Sequence, residues 1–186
     1  MDVSELRKNA KLELDGHPYV VTEFQFVKPG KGQGLYKCKL KNMITGAVLD
    51  RTWRSGEKLE AANVESKKMQ YLYASGDTYT FMDNQTYEQV ELPESVVGDD
   101  KHFLLDNLEC DVLFYNERPV GISLPSHVVM EIIECEPGVK GDTATNVTKN
   151  ATIQTGYTVA VPLFIKLGER IKVDTRTGEY VERVNG

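Results

Sequence analysis

The sequence predicts an all-β protein made of three small β-barrels in tandem. Apolar residues recur with a period of two along most of the chain, and short segments are bounded by Gly, Pro, Asn and Asp. A series of about five strands after Glu65 is also followed by a similar series after Val128. A length of 186 residues accommodates three such units, because small barrels fall below the usual domain size of roughly 100 to 150 residues.

In the first block, the Asp15-Gly16 turn separates a strand at Lys11–Leu14 from a long one at Tyr19–Lys28. Alternation along the long strand predicts that Val20, Phe24 and Phe26 share a face. After the loop from Pro29 to Gly34, a second strand turns Tyr36, Cys38 and Leu40 inward and projects Lys37, Lys39 and Lys41 outward together. That outer row reads equally as a solvated face that discourages edge-to-edge pairing.

The second block predicts strands at Met69–Tyr73, Tyr79–Met82, Tyr87–Leu92, Cys110–Tyr115 and Val120–Leu124. A helical turn fits at Ser95–Asp99, after Pro93 and with Ser95 as N-cap. Five strands and one short helix are the elements of an OB-fold. The third block predicts strands at Val128–Cys135, Ala151–Gln154, Thr158–Val161, Arg170–Asp174 and Tyr180–Val184, with a turn-rich stretch from Pro137 to Asn150. Asp83-x-x-Thr86-x-Glu88-x-Val90 matches Asp174-x-x-Thr177-x-Glu179-x-Val181, and the two copies are expected at equivalent places in their strand series. With joins near Val64 and His127, the expected domains are 1–64, 65–127 and 128–186.

A hydrophobic share of 40% with 27% charged residues suits a folded soluble chain. No stretch approaches the roughly 20 apolar residues of a membrane span, and the N-terminus has no basic and apolar leader, so a cytoplasmic protein without membrane contact is expected. Cys38, Cys110 and Cys135 lie far apart in no ligand-like spacing, which predicts reduced thiols and neither metal nor cofactor. His17, His102 and His127 are scattered, and no serine or cysteine sits in a nucleophile motif. The chain is therefore not expected to be an enzyme.

The net charge of −6 conceals an asymmetry. Residues 1–64 carry 11 Lys+Arg against 8 Asp+Glu, 65–127 carry 4 against 12, and 128–186 carry 7 against 8. The run from Phe24 to Leu49 holds five lysines and no acid. Arg170, Lys172, Arg176 and Arg183, bunched near the C-terminus, could contact phosphates or form a solvated face.

Lys28-Pro29-Gly30-Lys31-Gly32-Gln33-Gly34 is the segment least explained by folding. Glycines on both sides of Lys31 keep bulk away and leave its side chain alone at a hairpin tip, either to reach into a narrow anionic space or simply to aid solubility. The spaced glycines superficially resemble a phosphate loop, but a strand follows rather than a helix, which excludes nucleotide binding of that kind. An amine so exposed is also no candidate for Schiff-base or general-base catalysis, which needs a buried pocket to lower its pKa.

Over essentially its whole length the chain resembles bacterial elongation factor P. Lys149-x-Ala151, Gly156 and Val159-x-Val161-Pro162-x-x-Ile165-x-x-Gly168 are similar to the signature of the family's last domain. Gly141-Asp142-Thr143-Ala144-x-Asn146-Val147-Thr148-Lys149, Ile171 to Tyr180, and Phe26 to Gln33 match family sequence as well. The resemblance implies an L-shaped imitation of transfer RNA, with an SH3-like (KOW-type) first barrel and two OB-fold barrels. It implies an accessory factor that binds both ribosomal subunits between the peptidyl-tRNA and exit-tRNA sites and relieves stalling at consecutive prolines. It further implies that Lys28, Pro29, Gly30, Lys31, Gly32 and Gln33 meet the acceptor end of peptidyl-tRNA, especially a prolyl one. Lys31 aligns with the family's modified position, often a β-lysyl-lysine, so an enzyme that modifies Lys31 is an implied partner. Lys37, Lys39, Lys41, Arg170, Lys172, Arg176 and Arg183 are the candidate contacts to RNA backbone, and a monomer is expected.

Overall fold

A computed structural model describes residues 1–137 and 147–185. The first sheet contains β1 (Lys11–Leu14), β2 (His17–Val27), β3 (Leu35–Asn42), β4 (Val48–Arg54) and β5 (Glu60–Ala61), in the order β4-β3-β2-β1-β5. The second contains β6 (Val64–Ser75), β7 (Thr78–Met82), β8 (Gln89–Pro93), β9 (Glu109–Tyr115) and β10 (Arg118–Ser123), ordered β10-β9-β6-β7-β8. The third contains β11 (His127–Cys135), β12 (Thr148–Ile153), β13 (Thr158–Pro162), β14 (Arg170–Asp174) and β15 (Tyr180–Val184), ordered β13-β12-β11-β14-β15. In the second and third sheets alike the first strand is central, strands two and three lie to one side and strands four and five to the other. The first sheet has a different order. The expected all-β architecture, one barrel of one type followed by two of another, is therefore what the chain adopts.

Each sheet curls around its own core. Leu12, Val21, Cys38 and Leu40 fill the first, Met69, Phe81, Leu92 and Val112 the second, and Met130, Ile132, Ile153, Val161 and Ile171 the third. In the first barrel the expected phase of β2 is only half right. A bulge between Val21 and Glu23 breaks the alternation, so Val21 faces Leu40 and Phe24 faces Cys38, while Val20 lies opposite Lys41. Val21 is fully buried and Val20 is not. One extra residue in the strand moved the inward position by one.

The helix differs from expectation too. α1 (Glu94–Val97) starts a residue earlier, with Pro93 at the N-cap and no side-chain cap, and a 3-10 segment from Gly98 to Phe103 continues it. Proline's fixed φ and missing N–H suit it to a helix start without help from Ser95.

The matched octapeptides fold as expected locally but not at equivalent places. Asp83 Oδ1 accepts from Gln85 N at 2.8 Å, Tyr87 N donates to Asp83 O at 2.7 Å, and Glu88 N donates to Thr86 Oγ1 at 3.3 Å. Asp174 Oδ1 accepts from Arg176 N at 2.8 Å, Gly178 N donates to Asp174 O at 2.7 Å, and Glu179 N donates to Thr177 Oγ1 at 3.2 Å. The first turn joins the second and third strands of its barrel, the other the fourth and fifth. A third copy, unsuspected in the sequence, joins β3 to β4. There Asn42 Oδ1 accepts from Ile44 N at 2.8 Å, Gly46 N donates to Asn42 O at 2.8 Å, and Ala47 N donates to Thr45 Oγ1 at 3.3 Å. The motif therefore encodes a hairpin turn and not a duplicated domain, since an Asx side chain satisfies the turn's N–H groups wherever a hairpin needs closing. The fifth residue of the turn has positive φ in all three: Gly46 at 79°, Tyr87 at 62° and Gly178 at 76°.

The two joints differ in kind. Between the second and third barrels, Phe103 leaves the 3-10 segment and packs within the third core, and Leu108 and Leu124 touch both cores. His102 stacks on Tyr157 with centroids 4.3 Å apart, and Thr155 Oγ1 donates to His102 O at 2.6 Å. Between the first and second barrels no core residue is shared among the described residues. The Tyr115 hydroxyl donates to the Glu13 carboxylate there, and Met43 reaches Gly121 beside a cleft of about 430 Å³.

Three stability tests follow from the turns. Gly178→Ala places a Cβ in the left-handed region and 3.3 Å from the Tyr157 hydroxyl, and is expected to cost about 1 kcal/mol or more in urea denaturation. Tyr87→Gly, at a residue 71% exposed, relieves the same backbone conformation and is expected not to destabilise. The Arg176 guanidinium and backbone N–H hold the Asp174 carboxyl down at about 2. A depressed carboxyl contributes stability above its unfolded value that is lost as pH falls through the folded one. Asp174→Asn should therefore flatten the melting-temperature profile between about pH 4 and pH 2 relative to the parent protein.

Candidate functional site

The basic segment singled out above forms the tip of the β2–β3 hairpin. Val27 pairs with Leu35 as the last rung, and residues 28–34 form the connection. Lys28, Pro29, Gly30, Lys31, Gly32 and Gln33 are all exposed. None of the ion pairs among the described residues involves Lys28 or Lys31.

The three glycines have separate tasks. A Cβ at Gly30 or Gly32 would meet nothing within 4 Å, so the space around Lys31 is open, and Gly32 supplies the positive φ of 103° that turns the chain. Gly34 works by contact instead. A Cβ there would fall 2.5 and 2.7 Å from carbons of the Phe26 ring and 3.0 Å from Ser55 Oγ. Phe26 lies against Tyr36, centroids 4.8 Å apart, and Ser55 N donates to Gly34 O at 3.0 Å. A free tip thus stands on a braced base: the ring of Phe26, 47% exposed at the wall of the hairpin, covers Gly34. Alternation placed Phe26 on one face with Val20 and Phe24 and concealed this bracing.

The outward lysines of β3 do not form one uniform surface. Lys37 is exposed, opposite Gln25 and Thr52. Lys39 lies opposite both Glu23 and Asp50 and pairs with Glu23 at 3.8 Å. The acid-free run is therefore flanked in space by the two acids that bound it in sequence, because strand pairing brings both beside Lys39. Lys41 is half-buried and lines the cleft between the first two barrels. Arg51, a further cation outside the lysine row, lines a shallow groove with Lys37 and Lys39.

The C-terminal cations are mostly engaged. Arg176 pairs with Asp174 at 3.0 Å and Lys172 with Glu182 at 3.0 Å. Arg183 sits 3.7 Å from Glu169 and over the Phe164 ring at 5.5 Å. Arg170 is exposed. The structure brings Arg170, Lys172 and Arg183 onto the paired strands β14 and β15, while Arg176 lies at the turn joining them. Among the described residues no group of three or more His, Cys, Asp or Glu is placed to hold a metal, and no helix is long and apolar enough to cross a membrane.

The stretch most specific to the resemblance has a structural role. Ala151, Val159, Val161 and Ile165 are at most 2% exposed within the third core, and Gly156 and Gly168 take positive φ at turns. The Gly141-to-Asn146 part lies outside the described residues.

Comparison with known proteins accounts for this pattern. Residues 2–59 match the family model "Elongation factor P (EF-P) KOW-like domain", 64–122 match "Elongation factor P (EF-P) OB domain", and 128–183 match "Elongation factor P, C-terminal". Elongation factor P of Syntrophus aciditrophicus is 56% identical over 183 residues, covering 98% of each chain. Elongation factor P 2 of Geobacter sulfurreducens is 54% identical, covering 99% of this chain and 98% of the relative. A solved structure, eukaryotic translation initiation factor 5A from Methanococcus jannaschii, aligns at 23% identity with a TM-score of 0.49, covering 67% of this chain and 91% of that one. The three matches in register, and identity above one half along the whole length, establish that the chain belongs to the elongation factor P family of translation factors.

Proposed function

We propose that this translation factor binds both ribosomal subunits between the peptidyl-tRNA and exit-tRNA sites and speeds peptide bond formation when consecutive prolines stall it. It is an accessory, monomeric, cytoplasmic protein imitating an L-shaped tRNA in three domains, 1–64, 65–127 and 128–186, and the ribosome performs the chemistry. The observation that carries this reading is the free Lys31 tip on its braced hairpin.

An ammonium on a four-carbon stem, between glycines whose added Cβ would meet nothing within 4 Å among the described residues, can enter a confined space lined by phosphate and ribose. Modification of Lys31 by a dedicated enzyme, with a β-lysyl group as the candidate, would add reach and charge. Contact between residues 28–33 and the acceptor end of peptidyl-tRNA would hold a poorly reactive prolyl ester in attack geometry, lowering an orientational part of the barrier. Lys37 and Lys39, with Arg170, Lys172, Arg176 and Arg183, are proposed to follow RNA backbone. For Lys39 and Lys172, whose partners Glu23 and Glu182 are exposed, this requires exchanging a carboxylate for a phosphate at a solvated surface, which costs little, whereas Arg176 and Arg183 would have to give up the more covered Asp174 and Glu169. The acidic second barrel would limit adhesion to other RNA.

The test is synthesis through a triple-proline template on purified ribosomes, using protein isolated from its native cells. The intact protein is expected to restore synthesis and Lys31→Ala to abolish the effect. Failure of the intact folded protein to restore it would refute this reading. Gly34→Ala keeps Lys31 but displaces the Phe26 ring from the loop base. It is expected to lower the maximal rate several-fold while the melting temperature falls only slightly, since an exposed ring can swing into water.

A further inference from the structure

Apart from Glu13, which accepts from Tyr115, the charged groups at the contact between the first two barrels line a cleft and not a packed seam. Lys8, Lys11 and Lys41 enter it from the first barrel, Asp99 and Asp100 from the 3-10 segment of the second, and Arg176 from the third. Lys41 Nζ lies 3.4 Å from where a Cβ on Gly98 would stand. Gly98 has φ 62° and ψ −144°, a conformation that favours glycine, so the turn is shaped to leave room for the ammonium.

We propose that Lys41 is a positioning residue, docked on the Gly98–Asp100 turn through its attraction to Asp100, that sets the orientation of the first barrel and hence of the Lys31 loop. The inference rests on the function proposed above only for its consequence at the ribosome. The docking itself belongs to the isolated protein. It also reassigns Lys41, which strand alternation alone grouped with the candidate RNA contacts.

The position of the two groups explains how they set geometry. Burial pushes the Asp100 carboxyl up to about 6, Lys41 pulls it down and Asp99 pushes it up. The groups around Asp100 are Lys41 on β3, Lys8 and Lys11 ahead of and on β1, Asp99 beside it, Arg176 of the third barrel, which Asp174 already holds, and the Cys110 thiol on β9. Because burial dominates, the charged carboxylate is costly overall, and its raised value means the cost appears as pH rises from about 4 through about 6. Lys41 offsets part of that cost, and only when the first barrel is seated. A half-buried charge that meets its countercharge in one arrangement alone favours that arrangement.

The experiment is a double-mutant cycle of Lys41→Met and Asp100→Asn, read by urea unfolding at pH 7.5 and pH 4.5. At pH 7.5 Lys41→Met is expected to raise the unfolding constant about three- to tenfold more in the parent than in the Asp100→Asn background. At pH 4.5, where Asp100 is protonated, the difference should shrink below about twofold. Equal effects in the two backgrounds at pH 7.5 would overturn the proposal. On ribosomes, each single variant is expected to lower the maximal rate at saturating factor by a similar fold, the double variant no further, with the half-saturating concentration and its salt dependence unchanged. If Lys41→Met instead raises the half-saturating concentration and reduces its salt dependence while Asp100→Asn is neutral, Lys41 is an RNA contact and the proposal fails. A parent protein that does not restore synthesis would sink the proposed function and leave the unfolding cycle to decide the docking.

Discussion

Phe103 belongs by chain to the second barrel and by packing to the third, and this sharing follows from size. Units of about 60 residues bury a smaller share of their surface than larger domains and have marginal cores. A 3-10 segment that carries a phenylalanine across the joint, with Leu108 and Leu124 touching both cores, joins two small hydrophobic clusters into one longer one. Fully burying a side chain of that size is favourable by about 1.5 to 3 kcal/mol, a large fraction of what a small barrel can muster alone. The His102–Tyr157 stack and the hydrogen bond from Thr155 then fix the angle about that contact.

The first barrel is attached by other means. Among the described residues its core shares none with the second, and the joint combines a tyrosine–carboxylate hydrogen bond, the buried Met43 and a charged cleft. Polar contacts are directional where apolar burial is not, so such a joint holds a definite angle while resisting separation less strongly. The barrel that carries the exposed lysine tip is thus the one whose seating depends on electrostatics. Within it, rigidity increases from tip to base: open glycines at 30 and 32, a ring-covered glycine at 34, and paired strands below.

The recurrence of the Asx hairpin turn in all three barrels shows how a true signal can be assigned the wrong meaning. Two copies were legible as a spaced Asp, Thr and Glu, but they join different strands of their barrels. The third escaped notice because Asn42 replaces aspartate and Ala47 replaces glutamate, although neither change touches the atoms that make the turn. What relates the second and third barrels is their strand order, a property of long-range pairing that a local match cannot report.

The sequence by itself determined most of the elements, though not β4 and β5 of the first barrel, together with the fold class and the isolated lysine tip, because alternation, turn chemistry and glycine spacing act over a few residues. It also carried the family signature, although those residues serve the third core and its turns. Only the tertiary structure decided the phase of β2, where a single bulged residue exchanges Val20 for Val21, and the surroundings of each cation. Lys37, Lys39 and Lys41 are equivalent by alternation, yet one faces solvent, one stands between two acids and one enters the cleft. Charge acts through space, and what lies beside a strand residue is set by its neighbouring strands and barrels, which the order of residues along one strand does not contain.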